Sequence, residues 1–189
     1  MAFPTDWGRI CAITIDNTEV DATLSDFPFL MTEDNLPSEM FDADGSYPAL
    51  NGGGDIRITS DEAGETQLPL EVVSFVTDND PSNGVAELWA KVSSVSHTDD
   101  TIIYVWYDKA AETQPAIDST YGAENVWKSD YKAVHHLTGL LDSTQYDNDG
   151  TEFGSAGTLT DDQGKFGDST SSKRFPGGQW GKGISLGSD

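Results

Sequence analysis

Cys11 is the only cysteine in the 189 residues, so no internal disulfide is open to the chain. A lone thiol fits assembly in a reducing cytosol, and its place within Ile10–Ile15 reads as a small buried hydrophobe rather than a nucleophile. Cations are scarce: 10 Lys and Arg stand against 33 Asp and Glu, a formal charge of −23. Such a surface repels phosphate backbones and anionic lipid heads, which excludes nucleic acid and membrane surfaces as expected partners. No apolar run approaches the length of a membrane-spanning helix. The start, Met1-Ala-Phe-Pro-Thr-Asp-Trp, lacks the basic region and apolar stretch of a signal peptide.

The usual carriers of catalysis are missing as well. Neither a Gly-x-Ser-x-Gly elbow nor a Walker loop is present. Gly52-Gly53-Gly54 is followed by no helix pattern and no lysine, which excludes a phosphate cradle. Of the three histidines, His135 and His136 are adjacent and point to opposite faces of an extended chain, so they do not grip one zinc ion together. With 33 acids some facing carboxylate pair can always be drawn, and that abundance makes it no signal for glycoside hydrolysis. No enzymatic activity is expected.

What the chain does have is alternation. From Asp55 to Tyr107 apolar and polar residues trade places with little interruption, in the runs Asp55–Thr59, Leu70–Val76, Val85–Val95 and Thr101–Tyr107. Period two means strands with one face buried and one wet. Arg9–Ile15 and Phe27–Met31 are further strands, the latter placed at an edge or bulge by Pro28. Thr101–Tyr107 is apolar on both faces and reads as a central strand covered on each side. Asn83-Gly84 signals a left-handed turn before Val85. One short helix is expected over Asp34–Asp42, with Pro37 near its first turn and Leu36, Met40 and Phe41 on one side.

After Tyr107 the character changes. Asp108–Tyr121 reads as a connector; from Gly122 the composition turns to Gly, Asp, Ser and Thr, leaving Ala133–Leu137 and Ile184–Leu186 as apolar islands. The expected organisation is an all-β, antiparallel, jelly-roll-like sandwich over residues 1–120 with one short helix. A loop-rich second part follows over residues 121–189.

Two resemblances follow from these residues. Phe27–Met31, Leu36-Pro37-Ser38-Glu39-Met40-Phe41, Gly54-Asp55-Ile56-Arg57-Ile58-Thr59, Leu68-Pro69-Leu70-Glu71-Val72, Leu88-Trp89-Ala90-Lys91-Val92 and Thr101–Tyr107 occur in that order over about residues 6–120. They resemble an uncharacterised β-sandwich family often found ahead of lectin-like jelly rolls in phage and surface proteins. Val126-Trp127, Ala133-Val134-His135-His136-Leu137, Asp142-Ser143-Thr144, Asn148-Asp149-Gly150-Thr151 and Gly164-Lys165-Phe166-Gly167 are similar to the opening of a laminin-G or concanavalin-like jelly roll. His135 departs from the aromatic usual there, and the chain stops well short of a full double sheet. The second part is therefore expected to be incomplete.

Asp142, Asp147 and Asp149 share one Asp- and Asn-rich loop, the kind in which lectin-like jelly rolls hold Ca²⁺ with six to eight hard oxygens. The competing reading is that these residues simply build turns. Composition, the missing export signal and the resemblances together lead to a virion structural or accessory protein of a tailed phage, made in the host cytoplasm. Its sandwich would mount a distal carbohydrate-binding region, through a strand edge or an apolar patch around Trp7 or Phe27. Its partners would be other virion proteins or copies of itself, with host surface glycans beyond. The alternatives are an extracellular bacterial carbohydrate-binding module and a non-catalytic fragment of a polysaccharide-degrading enzyme.

Overall fold

The structure, a computed structural model, describes residues 3–127, 129–153, 159–162, 172–174 and 183–185. The chain divides into two compact units, Met1–Lys128 and Ser129–Asp189. The first is built on two antiparallel sheets. Strands β1 (Arg9–Ile15), β2 (Leu24–Met31), β3 (Arg57–Thr59), β4 (Gln67–Leu68), β5 (Leu70–Val76), β6 (Val85–Val95) and β7 (Thr101–Tyr107) pair in the orders β1-β7-β3-β4 and β2-β6-β5. The all-β sandwich read from the alternation is the fold observed.

Each sheet is organised around one central strand. In β6, Ala86, Leu88, Ala90 and Val92 point inward and are buried; in β7, Ile103, Val105 and Tyr107 do the same. Ile58, Met31, Met40 and Phe41 complete the core between them. Each aliphatic side chain removed from water here contributes roughly 1.5–3 kcal/mol. Pro69, which has no N–H to give to a ladder, separates β4 from β5 and carries the chain from one sheet to the other. One flank of the sandwich is thereby closed by continuous chain, while β1 and β2 form the opposite flank.

Two local expectations are corrected. The helix expected over Asp34–Asp42 is a single 3-10 turn, Ser38–Met40. Asn35 is used elsewhere: its side-chain Oδ1 accepts the Thr32 N–H, holding Thr32–Leu36 in a turn of its own. Pro37 then stands at the cap with no side-chain acceptor to offer, so only one turn propagates. Leu36, Met40 and Phe41 are nevertheless all buried, as their spacing implied.

The second correction concerns Asn83-Gly84. Gly84 has φ −61°, an ordinary conformation, following a 3-10 turn over Pro81–Asn83 that Asp80 caps by accepting the Ser82 N–H. Glycine is needed for space instead: a Cβ at this position would lie 2.6 Å from Phe41 ring and Cβ atoms. Phe41 in turn stacks on Phe75 with centroids 5.0 Å apart.

The second unit has two short antiparallel pairs, β8 (Thr151–Phe153) with β11 (Gly183–Ser185) and β9 (Thr160–Asp162) with β10 (Ser172–Arg174). Ala133–Leu137 is not a strand, and Leu137 has φ 62°. Ile184 lies in β11, while Gly164–Gly167 and Leu186 lie outside the described residues. Residues 121–127 belong by their contacts to the first unit, where Trp127 packs against Trp89.

Replacing Gly84 with alanine is expected to cost the first unit about 1–3 kcal/mol, because the new methyl overlaps a ring fixed by stacking. Denaturant unfolding followed by tryptophan fluorescence will show this, since Trp7, Trp89, Trp106 and Trp127 all lie in that unit. An unmoved midpoint would mean that Phe41 gives way freely.

Candidate interaction surface

The register of the β1-β7-β3-β4 sheet fixes which side chains meet on its outer face. Ile10 lies opposite Trp106, Ala12 opposite Tyr104, and Thr14 opposite Ile102. On the other side of β7, Trp106 faces Arg57, Tyr104 faces Thr59, and Thr59 faces Gln67. Ile10 and Ile102 remain 39% and 43% exposed, with Tyr104 and Trp106 half-buried. Thr101–Tyr107 is thus the central strand of its sheet, but its second face is only partly covered, which corrects the expectation of cover on both sides.

Phe3 supplies part of that cover. Its ring meets Trp106 edge-on at 5.6 Å and Trp7 at 4.9 Å. The Trp106 indole N–H donates to Thr59 Oγ1 at 2.9 Å, and the Thr59 hydroxyl donates to the Asp61 carbonyl. Tryptophan is therefore held at a fixed orientation by its polar atom while its ring stays on the surface.

The one ionised side chain among these outward strand positions, Arg57, is only 6% exposed. Its guanidinium donates to the carbonyls of Gly54, Ile56 and Thr113 and pairs with Glu112 at 3.5 Å. Trp7 lies beside it, with the Arg57 guanidinium carbon 5.6 Å and Lys109 Nζ 4.2 Å from its ring. Asp55, fully buried, accepts the N–H groups of Leu50 and Lys109, and its own carbonyl accepts the Trp7 indole N–H. These charges tie the glycine loop and the segment after β7 to the sheet. They leave the outer face of β1, β7, β3 and β4 without an exposed ionised residue, in a chain carrying 33 acids.

The other sheet also draws in its outward carboxylates. Glu71 and Glu87 stand on its outer face, 7% and 8% exposed. Glu71 accepts the Trp127 indole N–H at 2.8 Å, and Glu87 accepts that of Trp89 at 3.1 Å. Both carboxylates thus act as anchors for indoles whose rings lie 5.3 Å apart. Of the residues around which an apolar patch was expected, Trp7 is partly covered by Phe3 and Lys109, and Phe27 packs its half-buried ring on the core.

Cys11 is half-buried, and burial, followed by the nearby Glu39 charge, raises its thiol pKa. Tyr107 donates its hydroxyl to Glu39 at 2.5 Å; burial first, then that acceptor, pushes its pKa up. A cavity of about 330 Å³ lies between Glu33, Phe41 and Pro81, but Glu33 already accepts the Ala86 N–H and Asp80 the Ser82 N–H.

In the second unit the three aspartates expected to hold a cation lie in one loop, and two of them share a network. Asp142 Oδ1 accepts the N–H groups of Val134 and Thr144; Oδ2 accepts the Thr144 hydroxyl and the Asn148 N–H. Asp149 Oδ1 accepts the Asp142 N–H. Asp147 takes a left-handed φ of 51° and donates its N–H to the Thr144 carbonyl. Among the described residues no group of three or more His, Cys, Asp or Glu side chains gathers to hold a metal ion. Oxygens that receive N–H donors shape the loop directly.

Compared with known proteins, the chain matches no family model, no curated protein and no solved structure.

Burial raises the Asp142 pKa, but the donors from Val134, Thr144 and Asn148 outweigh it and hold the carboxyl below its ordinary 3.8. A depressed folded-state value stabilises the loop above that ordinary value and loses the contribution as pH falls through the folded one. Asp142→Ala is expected to lower amide-exchange protection at Val134, Thr144 and Asn148 by at least about tenfold, and acidification of the native chain to reproduce the loss. Unchanged protection in the variant would show that the loop stands without its carboxylate.

Proposed function

We propose that this chain is a non-catalytic virion structural subunit, of the fibre, decoration or adhesin kind. Its sandwich is mounted on a neighbouring virion protein through the outer face of the β1-β7-β3-β4 sheet. One observation carries the reading: Ile10, Ala12, Ile102, Tyr104 and Trp106 form a pleated face with no exposed charge on a chain of net charge −23. Acidic side chains keep most of such a surface wet, so a face from which they are withheld is suited to contact. Trp106, oriented by Thr59, and Tyr104 have the aromatic chemistry that dominates interface energetics. The resemblance to sandwich families that precede lectin-like domains supports the same arrangement, with the second unit leading toward glycan recognition.

The same two aromatics favour a second reading as an extracellular carbohydrate-binding module. Two residues apart on one strand face, they stand about 7 Å from each other, a spacing on which sugar rings can stack.

Density-gradient-purified particles are expected to contain the chain. A double variant, Ile102→Asp with Tyr104→Asp, should keep its unfolding transition and be lost from the particles. Incorporation equal to that of the native chain would overturn the mounting role. Glycan-array binding that disappears with Tyr104→Ala, in a chain absent from particles, would establish the second reading in its place.

A further inference from the structure

The four edges of the first unit's two sheets are not alike. β2 is interrupted by Pro28 and by Asp26, which takes a φ of 47° and is skipped by its ladder with β6. β5 carries a bulge between Val72 and Ser74, and its free side receives Gly52, which donates to the Phe75 carbonyl. β4 is two residues long. Bulges, prolines, cover and brevity are how sheet edges avoid pairing with other chains. β1 has none of these: Ile10–Ile15 contains no proline, no charge and no bulge, and it pairs without a break to β7. Besides the ladder with β7, the one hydrogen bond to the backbone of Ile10–Ile15 found among the described residues is from the Cys11 thiol to the Ala12 carbonyl, at 3.6 Å.

The core beneath this edge is unfinished. Along the β4–β5 flank Leu68, Leu70 and Phe75 are buried and only Val72 is half-buried, whereas along the β1–β2 flank Ile13 and Met31 are buried but Cys11, Ile15, Phe27 and Phe29 remain only half-buried. We infer that the edge of β1 pairs antiparallel with β1 of a second copy, about a twofold axis at Ala12, joining two four-stranded sheets into one of eight. This step uses the strand edge, not the outer face, and does not depend on the mounting role.

The strand fits itself. In that register Ala12 faces Ala12 of the second copy, Cys11 faces Ile13, and Ile10 faces Thr14, so no side chain meets a like charge across the seam. A twofold axis perpendicular to the sheet keeps both inner faces on the same side. The half-buried Phe27 and Phe29 of the two copies are then brought toward one another under the joined sheet. Arg9 and Asp16 flank the uncharged strand at opposite ends, and antiparallel pairing brings the Arg9 end of each copy to the Asp16 end of the other. Two bodies of charge −23 still repel at long range, and salt screens that repulsion with a Debye length of about 10 Å at 0.1 M. Association therefore strengthens as salt is added, opposite to a contact made by ion pairs.

The test is the mass of the full chain in solution by light scattering and sedimentation equilibrium, at low and high salt. A species of twice the 20.4 kDa chain, more populated at high salt, is expected. Ala12→Asp changes an exposed residue and sets two carboxylates against each other at the axis. It should keep the native melting transition and weaken the dimer at least about tenfold. A Cys11→Ser, Ala12→Cys chain should cross-link to a covalent dimer under mild oxidation, since directly opposed residues have Cβ atoms about 5 Å apart. A native chain that is monomeric at every concentration and salt overturns the inference, as does a dimer that Ala12→Asp leaves intact and Ala12→Cys does not cross-link.

Discussion

The first unit depends on two strands that must be apolar on the side facing one another. β6 and β7 each stand in the middle of a sheet, and the buried faces of both are made of Ala, Val, Leu, Ile and one Tyr. Every other strand is positioned by pairing with one of them, directly or through β3. Shifting the register of β6 by one residue would bring Glu87 or Lys91 inward and turn Leu88 outward. The alternating pattern thereby selects one pairing. Tyr107, the largest side chain in the core, is tolerable there because its hydroxyl finds Glu39.

Much of this was legible in the sequence. Arg9–Ile15, Leu70–Val76, Val85–Val95 and Thr101–Tyr107 are strands over the residues the alternation marks, because period two is a direct consequence of a half-buried pleat. The partners were not legible. β1 joins β7 across most of the unit's length, and nothing local in Arg9–Ile15 encodes that choice. Short elements escaped for a related reason. Gln67–Leu68 has too few residues to show a period, and Ser38–Met40 is held by its neighbours rather than by its own propensity.

The candidate surface was half legible. Apolar residues on both faces of Thr101–Tyr107 were visible in the sequence, yet the same pattern suits a strand covered twice and a strand whose outer face is only partly covered. What separates the two is the number of layers. The first unit has two sheets, and among the described residues Phe3 is laid over the outer side near Trp106. Equally, Arg57 stands between the buried Ile56 and Ile58, at a position that alternation turns outward. Its withdrawal beneath Trp7 depends on three carbonyls contributed by Gly54, Ile56 and Thr113, which no spacing rule brings together.

Charge placement gives the surface its meaning. A uniformly anionic exterior would keep the chain soluble and also keep it from every acidic neighbour, itself included. Withholding exposed charge from this sheet face and from the strand edge beside it leaves two adjoining places where contact costs little electrostatic work. In the proposed contacts Trp106, fixed by Thr59, and the half-buried Phe27 and Phe29 would lose more of their remaining apolar surface to burial. Exposed carboxylates of the loops, among them Glu62, Glu65, Asp99 and Asp100, would set like charge against an approach made over those loops. On the proposed role, specific attachment would arise as much from where carboxylates are absent as from the aromatic side chains that remain.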